Sequence, residues 1–195
     1  MPDGSLGIAA GGDLATARPD GRPGVLPLLS GDKAFYVEFQ AAITDHHPDH
    51  WPALWLLPIE HNMRQEDHLP GDPPKFERWM EIDVDEGGFG PGHHGALINW
   101  SGIWPDYKMR QNQHNMTSRQ PLDRTQAHVF GVSYEPDKRQ VTWWIDGVAQ
   151  MSAGGELIPP IARNHHYYLI MSSQTRKEGR PYLMHFYGLR VFTRP

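Results

Sequence analysis

Between Trp79 and Gly88 the chain reads WMEIDVDEGG, with Glu81, Asp83, Asp85 and Glu86 inside six positions. As a strand of period two, the segment sends Trp79, Glu81, Asp83 and Asp85 to one face and Met80, Ile82 and Val84 to the other, apolar face. Carboxylates at i, i+2 and i+4 stand roughly 6 to 7 Å apart per step along a strand, where like charges repel and disfavour folding. The ordinary uses of such a cluster are a solvated face or a calcium site. Its chemical use is acid–base or nucleophilic work, because crowding of like charges raises a carboxyl pKa into a working range.

The elements that must position these groups are short strands. Residues 34–43 (AFYVEFQAAI) are aromatic and β-branched with partial alternation. Residues 51–58 (WPALWLLP) form an apolar run with Pro near each end, which reads as a strand buried on both faces. A loop rich in charge and Pro, 60–77, leads into the acidic strand. GALINW (95–100), HVFGVSYE (128–135) and QVTWWIDGVAQ (140–150) follow, the last carrying the two-residue hairpin signal Asp146-Gly147. YYLIMSSQ (167–174) and LMHFYGLRVF (183–192) close the chain. Residues 1–33, rich in Gly, Asp, Pro and Arg, are expected to hold at most edge strands and turns. Eight or nine short strands without a 3.6-residue period predict an all-β sandwich.

Composition agrees with that class. The 195 residues fit one domain spanning 1–195, and 20 Gly with 18 Pro are too many for a helix bundle. A formal net charge of -5, with no block of Lys or Arg, argues against nucleic acid or an anionic membrane as the main partner. With no cysteine there is no disulfide, thiolate metal site or cysteine nucleophile, and no apolar run reaches the roughly 20 residues of a membrane span. The first thirty residues lack a basic-then-apolar signal pattern.

The order of these segments, from FYVEFQAAI through WPALWLLP, EIDVDE and HVFGVSYEPDKRQVTWWIDG to YYLIMSSQ and FYGLRVF, resembles glycoside hydrolase family 16 over roughly residues 34–193. The acidic strand is the most specific part, matching the E-x-D-x-x-E pattern as Glu81, Asp83 and Glu86. The resemblance implies a β-jelly-roll sandwich of two antiparallel sheets, with Glu81 as nucleophile, Asp83 as the carboxylate that orients and tunes it, and Glu86 as general acid and base. A retaining glycosidase needs two carboxyl groups about 5 to 5.5 Å apart. Five positions from Glu81, Glu86 would face the core of a regular strand, so a β-bulge between Asp83 and Glu86 is expected. The alternative E-x-D-x-E register, with Asp85 in the last place, needs no bulge.

Aromatic planes usually line a glycan cleft. Trp79 shares the acidic face, Trp51 and Trp55 share one face of WPALWLLP, and Trp100 and Trp104 lie near a strand end, so these five are expected to wall it, whereas Trp143 and Trp144 read as structural. His94-Gly95 resembles the His-Gly after the acidic strand of laminarinases, with Ile98 where a further His is common and Asn99 next, and His94 and Asn99 are taken as substrate-binding. QTRKEGRP (174–181) contributes Gln174 and Arg176 to that set and gathers Lys177 and Arg180 beside them, a loop suited to sulfate or carboxylate groups. The twelve histidines carry no His-Glu-x-x-His pattern. No metal ligands or cofactor are assigned, although a structural calcium is compatible with the chain. The reading is a secreted or cell-surface monomer, a retaining endo-glycosidase of β-1,3- or mixed β-1,3/1,4-glucan, with polysaccharide as its partner. Its alternatives are a galactanase of the agarase or carrageenase kind and a non-catalytic β-glucan lectin.

Overall fold

The computed structural model describes residues 1, 3–64, 67–90, 92–111, 122–177 and 181–194. Thirteen strands lie among them: β1 (Leu6–Ala9), β2 (Asp13–Ala15), β3 (Leu29–Ser30), β4 (Phe35–Ile43), β5 (His50–Pro58), β6 (Glu77–Glu86), β7 (Ala96–Gly102), β8 (Lys108–Gln111), β9 (His128–Glu135), β10 (Gln140–Ile145), β11 (Val148–Gly154), β12 (His166–Thr175) and β13 (Leu183–Thr193). They form two antiparallel sheets. Six strands run in the order β1-β13-β4-β9-β10-β11, and seven make the second sheet, β2-β12-β5-β6-β7-β8 with β3 also on β12. Strands distant in sequence are neighbours, β13 beside β4 and β12 beside β5, which is jelly-roll connectivity.

Period-two patterning explains how the sheets face each other. In β4, Phe35, Val37 and Phe39 are buried while Tyr36, Glu38 and Gln40 are less covered. Phe35, Val37 and Phe39, with Phe130, Val132, Val141 and Trp143 of the same first sheet, meet Leu54, Leu56, Met80, Ile82, Val84, Leu97 and Leu169 of the second in one core. Each such side chain contributes roughly 1.5–3 kcal/mol when fully buried, so the alternating faces fix which way the strands lie. Asp146 and Gly147, with φ of 51° and 78°, form the tight turn joining β10 to β11, as their dipeptide predicts.

All eight longer strand segments expected from the sequence are present. β1, β2, β3 and β8 hold four residues or fewer each, too short to carry a clear period, and they dock on β13, β12 and β7. A smaller apolar cluster lies on the other side of the second sheet, its outer face, where Leu57, Ile59, Trp79, Tyr168 and Ile170 pack with Trp55, Trp100 and Tyr107. The turn Glu60–Arg64 after β5 carries His61 onto this cluster.

Candidate active site

β6 crosses the middle of the second sheet between β5 and β7, and its pairing with β7 is regular: Trp79 opposes Trp100, Glu81 opposes Ile98 and Asp83 opposes Ala96. The pairing with β5 is not. Asp83 opposes Trp55 and Asp85 opposes Leu54, leaving Val84 as an extra residue, and Glu86 then opposes Ala53. This is a β-bulge, and it returns Glu86 to the face of Trp55, Asp83 and Glu81. It also corrects the simple alternation, because Asp85 turns away from its fellow carboxylates. Asp85 lies 3% exposed between the sheets, paired with Arg124, whose Nη1 donates to Oδ1 at 2.9 Å and whose Nη2 donates to Oδ2. Gly87 follows because a Cβ there would stand 2.4 Å from Pro52 Cδ.

The three carboxyl groups on the outer face each have a partner. Trp100 Nε1 donates to Glu81 Oε2 at 2.9 Å, and Trp51 Nε1 donates to Glu86 Oε1 at 2.9 Å. Asp83 and Glu81 share a hydrogen bond. Burial, then the charges of Glu81 and Glu86, holds the Asp83 carboxyl well above the usual range. Burial raises Glu81 to about 7, with the Trp100 hydrogen bond opposing it and the Glu86 charge adding to it. Burial also raises Glu86, against the Trp51 hydrogen bond and the nearby Arg176 and Arg124 charges. The arrangement can present one ionised carboxylate and one protonated carboxyl to the same bound molecule.

The remaining expected residues divide by face and cover. Trp51, Trp55 and Trp100 lie on the outer face; Trp51 is 37% exposed, and Trp55 Nε1 donates to Ser172 Oγ at 3.2 Å. Trp104 is 75% exposed, its edge toward Tyr107. Trp79, expected as a stacking plane, is only 5% exposed: Trp100 covers one side at 5.6 Å and His61 lies flat on it at 3.5 Å. Its ring therefore supports Trp100 and offers no open face. Asn99 opposes Met80, a core residue, so its side chain leaves on the face away from the carboxylates. His94 is buried and meets the site through its backbone, its carbonyl accepting from Glu86 N at 2.8 Å. Gln174 opposes Trp51 on the outer face and donates to Asp13 Oδ1 at 2.8 Å.

Arg176 stands beside Glu86, its guanidinium 5.0 Å from the Trp51 ring centre and 4.1 Å from that of Phe89. Lys177 turns instead toward Asp49, and Arg180 lies outside the described residues. Four participants escaped the sequence reading: Arg124, His61, Asp67 and Tyr107. His61 and Asp67 sit in the 60–77 loop, where no period marks them, and their ring-nitrogen-to-carboxylate contact is 2.7 Å. His61, Asp67 and Glu77 bring ligand atoms within 4.8 Å of one another behind the Trp79 stack. No helix among the described residues is long and apolar enough to cross a membrane.

The sheet order defines a jelly roll of the kind seen in solved glycoside hydrolases of family 16. The chain is similar to the GH16 of the Bacteroides ovatus mixed-linkage glucan PUL in complex with its G4G4G3G product, with TM-score 0.64 and 13% identity over 96% of this chain and 81% of that one. It is similar to the κ-carrageenase of Pseudoalteromonas carrageenovora in complex with an oligotetrasaccharide of κ-carrageenan, with TM-score 0.62 and 17% identity over 92% of this chain and 67% of that one. The laminarinase of Rhodothermus marinus aligns with TM-score 0.57 and 20% identity over 96% of this chain and 77% of that one. At these identities the likeness establishes the fold. No family model and no curated protein matches the chain.

Proposed function

We propose that this chain is a secreted endo-glycosidase that cleaves β-1,3- or mixed β-1,3/1,4-glucan with retention of anomeric configuration. The observation that carries the reading is the bulge at Val84, which brings Glu86 onto the face of Glu81 and Asp83 while Asp85 is neutralised inside the sandwich. Glu81, ionised and steadied by the Trp100 and Asp83 hydrogen bonds, attacks the anomeric carbon. As that bond forms, the glycosidic C–O bond breaks and Glu86 gives its proton to the leaving oxygen. Water then attacks the same carbon, Glu86 takes a proton from it, and the bond to Glu81 breaks. Trp51, Trp55 and Trp100 on the same face suit the flat C–H faces of sugar rings.

Release of reducing ends from laminarin, lichenan, agarose and carrageenan tests the activity and ranks the substrates. In Glu81→Ala, azide should restore turnover and give the glycosyl azide of inverted configuration, whereas Glu86→Ala with azide should give the retained anomer. Binding of β-glucan with no reducing ends from any of the four would make the chain a lectin. Arg176 favours a second reading, a galactanase for anionic galactans, because its guanidinium sits beside Glu86 with no carboxylate in contact among the described residues. Preferential cleavage of carrageenan over laminarin, lost in Arg176→Ala, would establish it.

A further inference from the structure

We propose that His61, Asp67 and Glu77 bind one divalent transition-metal ion, with zinc the leading candidate, behind the aromatic stack that supports Trp100. The three residues come from separate places: the turn after β5, the loop that follows it, and the first position of β6. Ligands of a tetrahedral zinc ion stand about 2.0–2.2 Å from it, so any two of them lie about 3.3–3.6 Å apart. A separation within 4.8 Å therefore closes with about one ångström of side-chain movement.

The site is held from outside in the way metal ligands are. The His61 ring lies on Trp79 at 3.5 Å and 9° between planes, which fixes the orientation of its nitrogens. The Tyr107 hydroxyl donates to Glu77 Oε2, while Arg78 N, donating to the Asp67 main-chain carbonyl at 2.8 Å, ties the loop to β6. Outer partners of this sort set the aim of ligands. Charge gives a reason for a cation. Asp67 is 1% exposed, and among the described side chains its partner is His61, with no described Arg or Lys on it. A second carboxylate, the half-buried Glu77, lies in the same cluster, and two carboxylates brought together beside an imidazole favour a cation between them.

A further sign is His165, which is 1% exposed and has no hydrogen-bond partner at either ring nitrogen, with the charges of Glu60, Asp67 and His61 acting on it. A buried imidazole in that condition wants a donor, an acceptor or a metal. One imidazole with two carboxylates suits zinc or manganese, whereas calcium takes six to eight oxygens and would find too few here.

The test needs no carbohydrate, so its outcome is separate from that of the glycosidase reading. Full-length protein is stripped with chelator, dialysed and titrated calorimetrically with ZnCl2, MnCl2 and CaCl2, and bound metal is counted by elemental analysis. One zinc per chain is expected, with a melting temperature that rises with free zinc. Asp67→Asn and Glu77→Gln should each weaken zinc binding by more than about tenfold and remove the rise. Should Asp67→Asn fail to fold, Glu77→Gln, altering a half-buried group, decides the matter alone. Cobalt in place of zinc should give a visible ligand-field spectrum that Glu77→Gln alters. Zinc uptake below one per chain, or equal uptake by wild type and Glu77→Gln, overturns the proposal.

Discussion

Two indole N–H groups reach two carboxylates, Trp100 to Glu81 and Trp51 to Glu86, and these bonds make the titration of the site testable. Glu81 has a folded pKa of about 7, above its ordinary 4.5. Between those values the folded chain holds a proton that the unfolded chain has released, so stability falls as pH rises through that window and stays lower above it. Glu81→Gln should therefore melt like wild type at pH 4 and be more stable at pH 8, by about 1–3 kcal/mol, as thermal scans at the two values would reveal. If this substitution loses turnover while gaining stability, the carboxylate is there for chemistry. Trp51 bears on the other limb. Its hydrogen bond lowers the Glu86 pKa, so Trp51→Phe should move the alkaline limb of kcat/KM to higher pH, whereas a ring serving only as a sugar platform would change KM and leave that limb in place.

At the scale of the element, β6 departs from regularity at Val84, and the departure has a visible electrostatic cause. Asp85 inside the sandwich meets Arg124, itself 4% exposed, and Arg124 Nη1 further donates to Gly92 O at 3.0 Å. Removing only the cation would leave a buried carboxylate alone, so Arg124→Met should lower stability by about 3–5 kcal/mol, and adding Asp85→Leu should recover most of it. Chemical denaturation of the two variants and wild type measures both changes. How much of this element was legible in the sequence follows from range. The alternation of Met80 and Ile82 is local and was readable. The bulge was expected only because E-x-D-x-x-E puts an odd spacing between two groups needed on one face. Arg124, 39 positions from Asp85, carried no local signal, and neither did His61, which finds Trp79 only after the chain has turned back at Glu60–Arg64. Asn99 was misplaced for the related reason that register, fixed by pairing with β6, decides its face.

Across the whole molecule, one indole of the shared core ties the first sheet to the strand that carries the candidate site. Trp143 lies on β10 of the first sheet, fully buried, and its Nε1 crosses the core to donate to the Asp83 carbonyl at 2.7 Å. The sequence marked Trp143 as structural from its alternation with Trp144, but a bond between strands 60 positions apart depends on how the sheets stack, which no window of sequence contains. Gly95, just before β7, makes room for it, since a Cβ there would stand 2.4 Å from the Trp143 indole nitrogen and 3.0 Å from the Asp83 carbonyl. Gly95→Ala should thus displace the indole and β6 together, lowering stability by about 1–3 kcal/mol through overpacking and reducing kcat more than it raises KM. Trp143→Phe separates the two effects. It keeps most of the buried volume while leaving the Asp83 carbonyl without this donor, at about 1–3 kcal/mol. A Trp143→Phe enzyme that loses this stability at unchanged kcat would mean that the first sheet only supports the second, whereas a matching fall in kcat would mean that the spacing of the carboxylates is set from across the core.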